Sequence, residues 1–306
     1  MKHPAHDWDP GQLLPCRGRL PVVRSVLATG LEVAYERAGS GPLMVFVHGA
    51  AEDGRVWERQ LAALADEFTV VAWDEPGAGR SADVPDGFTL GDYADCLAAL
   101  IESIGLGPAQ VAGCSWGGTL ALELYRRHPE RVASLILADT YAGWKGSLSA
   151  DEVRSRDIGL RALLATHPFD PVLPGLFAGE PPAESVALLQ AMAADVRPDS
   201  MRLALSLMVE ADLHDVLPTI AVPTLLVWGE LDARSPTSIA RTFQRAIPAA
   251  KLVVIAGAGH ASHLERPGEF EDAVRDFCRG VGRGLQAGSP RTTPAVSSRV
   301  RRRRSR

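Results

Sequence analysis

The sequence predicts an α/β protein, a mostly parallel sheet with helices on both faces. Two observations carry this. Between Leu43 and Ala138, short apolar runs alternate with stretches whose apolar residues recur at helical spacing, which is the pattern left by crossover units. After a long interruption, the same alternation resumes between Pro223 and Arg279. At 306 residues with 46% apolar side chains, the chain is long enough to bury a full core.

Residues 1–18 are rich in Pro, Gly and His without a period, and read as a loose, disordered arm. Leu20–Leu27 and Leu31–Ala38 read as strands, and the continuous apolar run Leu43–His48 as a buried parallel strand. Val56, Trp57, Gln60, Leu61 and Leu64 share one helical face, and Thr69–Asp74 is the next strand. The clearest helix has Leu90, Tyr93, Ala94, Leu97, Leu100, Ile101 and Ile104 on its apolar side, with Thr89 as N-cap and Asp92 three residues on. Strand Gln110–Cys114, helix Trp116–His128 and strand Val132–Ala138 complete the first run, making six strands.

Residues 140–217 then show helical patterns and no convincing strand, punctuated by Pro174-Gly175 and Pro181-Pro182. Ser149-Ala150-Asp151-Glu152 opens one helix as a capping box, and Met201, Leu205 and Met208 share a face of another. This block reads as a helical lid inserted after the sixth strand. Strand Pro223–Trp228 follows, then a helix with Ser235 as cap and Pro236 in its first turn, strand Lys251–Ala256, and a last helix near Pro267–Arg279. The core is thus 19–139 with 218–280, an eight-stranded sheet flanked by helices, and 281–306 is expected to be a disordered basic tail.

Charge divides the same way. Residues 279–306 carry nine basic side chains and no acidic one, whereas the first 278 hold 23 basic and 37 acidic, a formal charge of −14. The Arg-rich tail is the one feature that would favour nucleic acid or anionic lipid; a solvated tail is the reading preferred, with no nucleic-acid and no membrane partner expected. No apolar run reaches the roughly 18 residues of a membrane span, and the first ten residues lack the apolar stretch of a signal peptide. A cytoplasmic protein is expected. Cys16, Cys96, Cys114 and Cys278 fit no metal or redox spacing and read as free thiols. No metal-ligand cluster appears and no cofactor is expected. Oligomeric state is not legible.

The chemistry centres on Gly113-Cys114-Ser115-Trp116-Gly117, followed by Gly118. A serine hydroxyl is a poor nucleophile until it is exposed at a cleft beside a base. A sharp strand-to-helix turn exposes it, and the chain passes so close to itself there that only glycine fits on either side. An apolar strand enters this serine and a helical period leaves it, which is the setting the motif needs. Phosphate binding is disfavoured: no GxxxxGK[ST] is present and no GxGxxG opens the first unit. Downstream, Asp232 follows one apolar strand and His260 the next, so each lies where open α/β sheets place their ligands. Asp139, at the end of another strand, and Glu230 are alternatives for the acid, and His263 for the base.

The pieces Phe46-Val47-His48-Gly49-Ala50, Trp73–Ser81, the serine turn, His128–Val132, Pro223–Asp232, Gly257–His260 and Leu264–Pro267 together resemble the α/β-hydrolase superfamily. They look most like its lid-bearing branch of enol-lactonases and haloperoxidase-like esterases. The resemblance implies Ser115 as nucleophile, His260 as general base and Asp232 as its acid partner, with the backbone N–H groups of Ala50 and Trp116 as oxyanion donors. His48 is structural in that family, and Cys114 lies off the nucleophile position. Trp144, Phe169, Phe177, Met201 and Met208 are candidates to line an apolar substrate pocket. The expected activity is hydrolysis of a small, partly apolar ester or lactone. Alternatives are proline iminopeptidase activity, with Glu210 and Asp212 as amine-binding carboxylates, perhydrolysis, and a non-catalytic ligand receptor.

Overall fold

The structure, a computed structural model, describes residues 22–164 and 170–287. One sheet of eight strands forms its centre: β1 (Val22–Ala28), β2 (Leu31–Ala38), β3 (Leu43–Val47), β4 (Thr69–Trp73), β5 (Ala109–Cys114), β6 (Val132–Ala138), β7 (Thr224–Gly229) and β8 (Lys251–Ile255). They lie in the order β1-β2-β4-β3-β5-β6-β7-β8. β1 with β2 and β2 with β4 are antiparallel; all other neighbours are parallel. The order reverses around β3, so the chain leaves β3 and β5, two neighbours, in opposite directions, and a crevice opens at their C-terminal ends.

The strands read as continuous apolar runs because both faces are covered. Alternate residues belong to two separate cores. Val45, Val47, Val71, Trp73 and Val111 face one side, and Met44, Phe46, Val70, Ala72 and Ala112 the other. α2 (Leu90–Ile104) and α3 (Trp116–Arg127) pack together, as do α1 (Glu58–Leu64) and α9 (Pro267–Ala287). α2 begins at the expected N-cap Thr89, which with Asp92 forms a capping box, each bonding the other's backbone N–H, and stops at Gly105, whose φ of 71° is left-handed. Asp74 ties the loop after β4: its carboxylate accepts from the N–H groups of Gly54 (2.9 Å) and Arg80 (2.8 Å) and from the Arg80 Nε (2.7 Å).

Between β6 and β7 the described residues form helices α4 (Ala150–Leu164), α5 (Ala183–Asp195) and α6 (Pro198–Glu210) and no strand. Ser149 and Glu152 form the expected reciprocal cap of α4. Side-chain ion pairs join this block to the core: Arg55 with Asp195 at 2.7 Å and Arg197 with Asp83 at 2.6 Å. α7 (Thr237–Ala246) and the short α8 (Ser262–Glu265) complete the fold.

Several element ends lie a residue or two from the sequence reading, and three helices differ for reasons that the packing gives. The helix expected around Val56–Leu64 divides into a 3₁₀ turn, Gly54–Trp57, and α1, because Asp53 caps the turn through the Arg55 N–H. Ser235 does not cap α7: its N–H and hydroxyl are taken by Asp232 and by the Thr140 carbonyl, so Pro236 stands at the cap. α9 runs to Ala287, past the expected end near Arg279; Gly280 and the glycines after it weaken a helix without stopping it. The arm at 1–18 and the tail from 288 onward lie outside the described residues.

Candidate active site

β5 ends at Cys114, α3 begins at Trp116, and Ser115 forms the turn between them with φ 49° and ψ −118°. A side-chain-bearing residue rarely adopts this backbone, which costs about 1–3 kcal/mol and persists only where neighbours enforce it. They do so here. The Ser115 N–H donates to the Ala138 carbonyl at 3.0 Å, and its own carbonyl accepts from the Gly118 N–H at 3.1 Å and from the Thr140 hydroxyl. The flanking glycines have a direct steric reason. A Cβ on Gly113 would lie 2.3 Å from the Gly117 carbonyl oxygen, and a Cβ on Gly117 would lie 2.2 Å from that of Val47. At Gly118 the obstacle is the Thr140 side chain, which packs directly on the helix where a Cβ would stand.

His260 follows β8 through Gly257–Gly259. Its Nε2 is 3.0 Å from the Ser115 Oγ, and its Nδ1 is 2.9 Å from the Asp232 Oδ2. The other oxygen of Asp232 accepts the N–H groups of Arg234 and Ser235, both at 2.8 Å. Burial drives the His260 pKa below its usual value, partly offset by the Asp232 charge. The imidazole is therefore neutral at neutral pH, with Nδ1–H donating to Asp232 and Nε2 free to accept from the serine.

The sequence left the acid open between Asp232 and Asp139, and geometry separates them. Asp139 accepts from the Gly229 N–H at 2.8 Å and from the Ser262 hydroxyl at 2.5 Å, and does not reach His260. Burial, reinforced by the Asp232 charge, holds its carboxyl well above the ordinary range. Glu230 bonds the Gly257 N–H at the surface. His263 packs against Trp57, ring centroids 4.5 Å apart, and burial pushes it down to about 3. It makes no bond to Ser115. His48 accepts the Glu75 N–H on Nε2 and bonds the Gly49 carbonyl through Nδ1, which leaves it a scaffold of the loop after β3.

That loop bends back on itself: the Gly49 N–H donates to Glu52 at 2.8 Å, and Ala51 has a φ of 65°. Among the described residues, the N–H groups of Ala50 and Trp116 have no acceptor. Trp116 is also the first residue of α3, where orphan N–H groups and the helix dipole favour negative charge. Its indole N–H donates to Glu75 at 2.7 Å, a carboxyl that burial pushes up to about 7. Sequence reasoning missed Glu75, which carries no motif signal beyond following Asp74.

A cavity opens over Ser115, His260 and Ala50. Trp144, Met201 and Met208 line it as expected, joined by Leu205 and Leu176. Phe177 does not; it packs, partly buried, against the core on the Met44 and Phe46 side of the sheet. Phe169 lies outside the described residues. Glu210 pairs with Lys145 and Asp212 is exposed, so neither carboxylate enters the cavity. The wall does contain two charged residues the sequence reading did not select, Glu52 and Arg234. Among the described residues no His, Cys, Asp and Glu cluster is placed to hold a metal, and no helix is long and apolar enough to cross a membrane.

A family model described as the alpha/beta hydrolase family matches residues 44–273. The chain is 32% identical over 253 residues to a pimeloyl-[acyl-carrier protein] methyl ester esterase of Chromobacterium violaceum, covering 80% of this chain and 98% of that protein. A protein of the same name from Aeromonas hydrophila is 28% identical over 268 residues, covering 81% and 99%. Among solved structures, a thermophilic esterase from Thermogutta terrifontis with malate bound superposes with a TM-score of 0.76 at 30% identity, covering 85% of this chain and 99% of that one.

Proposed function

The chain belongs to the alpha/beta hydrolase family, and we propose that it is a serine hydrolase cleaving the ester bond of a small, partly apolar substrate. The observation that carries this reading is the row Ser115 Oγ, His260 Nε2, His260 Nδ1, Asp232 Oδ2, with successive contacts of 3.0 and 2.9 Å, opening into one cavity. The ester named in the relatives' activity supports the bond type.

In this mechanism Ser115 attacks the ester carbonyl carbon while His260 takes its proton on Nε2. The oxygen that becomes negative is received by the N–H groups of Ala50 and Trp116. His260 then gives its proton to the departing alcohol, leaving the acyl group on Ser115. Water enters, loses a proton to His260, attacks the acyl carbon and releases the acid. Asp232 holds the tautomer and stabilises the imidazolium. Residues 140–217 act as the lid whose side chains shape the pocket.

The test is turnover of a panel of esters, lactones and aminoacyl amides by the wild type and Ser115→Ala. The variant should lose at least about 10⁴-fold in kcat, as removal of a nucleophile from such a row does. Ester turnover retained by that variant would refute the assignment, and amide turnover without ester turnover would replace it with an aminopeptidase.

A further inference from the structure

Two charged side chains stand in the cavity wall beside the reacting row, and they are held differently. Glu52 accepts the Gly49 N–H at 2.8 Å, and burial pushes its carboxyl above the ordinary range. Arg234 is half-buried beneath Pro174, and its guanidinium makes only one long bond, Nη1 to the Pro174 carbonyl at 3.4 Å. Among the described residues no carboxylate lies within 4.0 Å of it. Asp232, two residues away, spends its oxygens on His260 and on the N–H groups of Arg234 and Ser235.

The neighbouring arginine adds to the imbalance. Arg156 of α4 reaches the Arg234 carbonyl and the Tyr141 hydroxyl, both at 2.8 Å, and lies 5.7 Å over the Tyr141 ring. It too has no carboxylate partner among the described residues. The adjoining cleft is the opposite case: Arg55 pairs with Asp53 at 2.6 Å, Arg80 with Asp74 at 2.7 Å and Arg197 with Asp83 at 2.6 Å. A half-buried cation without an ion-pair partner is left with part of its desolvation cost uncompensated. Burial is the main influence against the Arg234 charge and Arg156 adds to it, while Tyr141, Asp232 and Glu52 favour the charge without forming an ion pair with the guanidinium. A planar guanidinium fork matches a carboxylate with two parallel N–H bonds.

We infer that Arg234 binds a carboxylate in this cavity and that the ester substrate is an anionic one, the monoester of a short dicarboxylic acid. This rests on the Ser115-centred ester hydrolysis proposed above and narrows its substrate class. The rest of the wall, Trp144, Leu205 and Met208 among it, would take the methylene chain.

The experiment compares initial rates on monomethyl and dimethyl esters of the dicarboxylic acids from succinic to suberic, with wild type, Arg234→Gln and Arg234→Lys. For at least one chain length the wild type should favour the monoester by about tenfold or more in kcat/KM, the range set by hydrogen bonds to a charged group. Arg234→Gln should bring that ratio near unity, chiefly through KM, and Arg234→Lys should restore part of it. Using a ratio removes any general loss of fold or of enzyme. A wild-type ratio at or below one throughout, or an unchanged ratio in Arg234→Gln, overturns the inference. If neither series is turned over, the ester reading fails by itself. Glutarate binding by calorimetry then decides the anion site: binding lost in Arg234→Gln supports it, and absent or unaltered binding overturns it.

Discussion

The sheet and the helical block share one cavity but are built on different terms. β3, β4 and β5 are buried from end to end, and the turn at Ser115 is locked by backbone bonds and by glycines in contact with carbonyl oxygens. Much of α4 and α5 faces water and Ile158 is 69% exposed; the block joins the core through one side of its helices, with Leu189, Met192, Met201 and Leu205 buried, and through ion pairs between side chains. Exposed pairs of that kind contribute roughly 0.2–1 kcal/mol each. On the proposed function, the contrast gives two tasks to two materials: the groups proposed to react stand on rigid strand ends, where a displacement of about 1 Å is costly, and the surface proposed to select a substrate stands on the softer half.

The largest effect that would sharpen this contrast comes from the two buried aspartates. Asp232→Asn should lower kcat about 10³–10⁴-fold, since the imidazole loses its orienting partner, whereas Asp139→Asn should act mainly on stability. The pH profile gives a sign. Activity needs neutral His260, so kcat/KM should rise with pH and level off, with a midpoint below 6.5 because burial lowers that pKa. Asp232 raises it, so the residual activity of Asp232→Asn should titrate at still lower pH. A midpoint moving upward would break the assignment of the acid.

Next in size is the backbone. Gly117→Ala places a Cβ 2.2 Å from the Val47 carbonyl oxygen and 2.6 Å from that of His48, so β3 and the oxyanion loop must move. We expect kcat to fall about 10–100-fold together with a lower Tm, read by calorimetry. In the block, Met208→Ala should be milder, changing KM by less than about tenfold with kcat nearly retained, as expected for an apolar pocket contact. The smallest effect belongs to the fastening. Arg55→Gln with Arg197→Gln should cost about 1 kcal/mol or less each in stability, and raising salt should mimic them in the wild type. A loss of kcat as large as that of Asp232→Asn from either block change would abolish the division of labour.

Legibility in the sequence follows the same line. Strands buried on both faces announce themselves as apolar runs, and β2 and β6 begin and end where the sequence reading places them. Ser115, Asp232 and His260 are readable because each follows such a run, and a strand's end is a fixed position. The choice between Asp232 and Asp139 is not, since both follow strands and only the third dimension decides which one meets the imidazole. Ser235 misleads for a related reason: a cap residue in sequence terms, it is drawn into the loop that holds Asp232. Phe177 is lost and Arg234 is missed because both stand in bends, where no period says which way a side chain points. Glu52 follows the oxyanion loop closely, but its inward turn depends on the left-handed backbone of Ala51.

The glycines beside Ser115 carry a lesson for anyone altering this protein. In a randomised library, positions 113 and 117 should return a single amino acid among active clones, because the atoms they would strike belong to the main chain and no companion substitution can shrink a carbonyl. If the proposed function holds, new selectivity is to be sought elsewhere, in the helices between β6 and β7, where sequence can drift without disturbing the Ser115 turn.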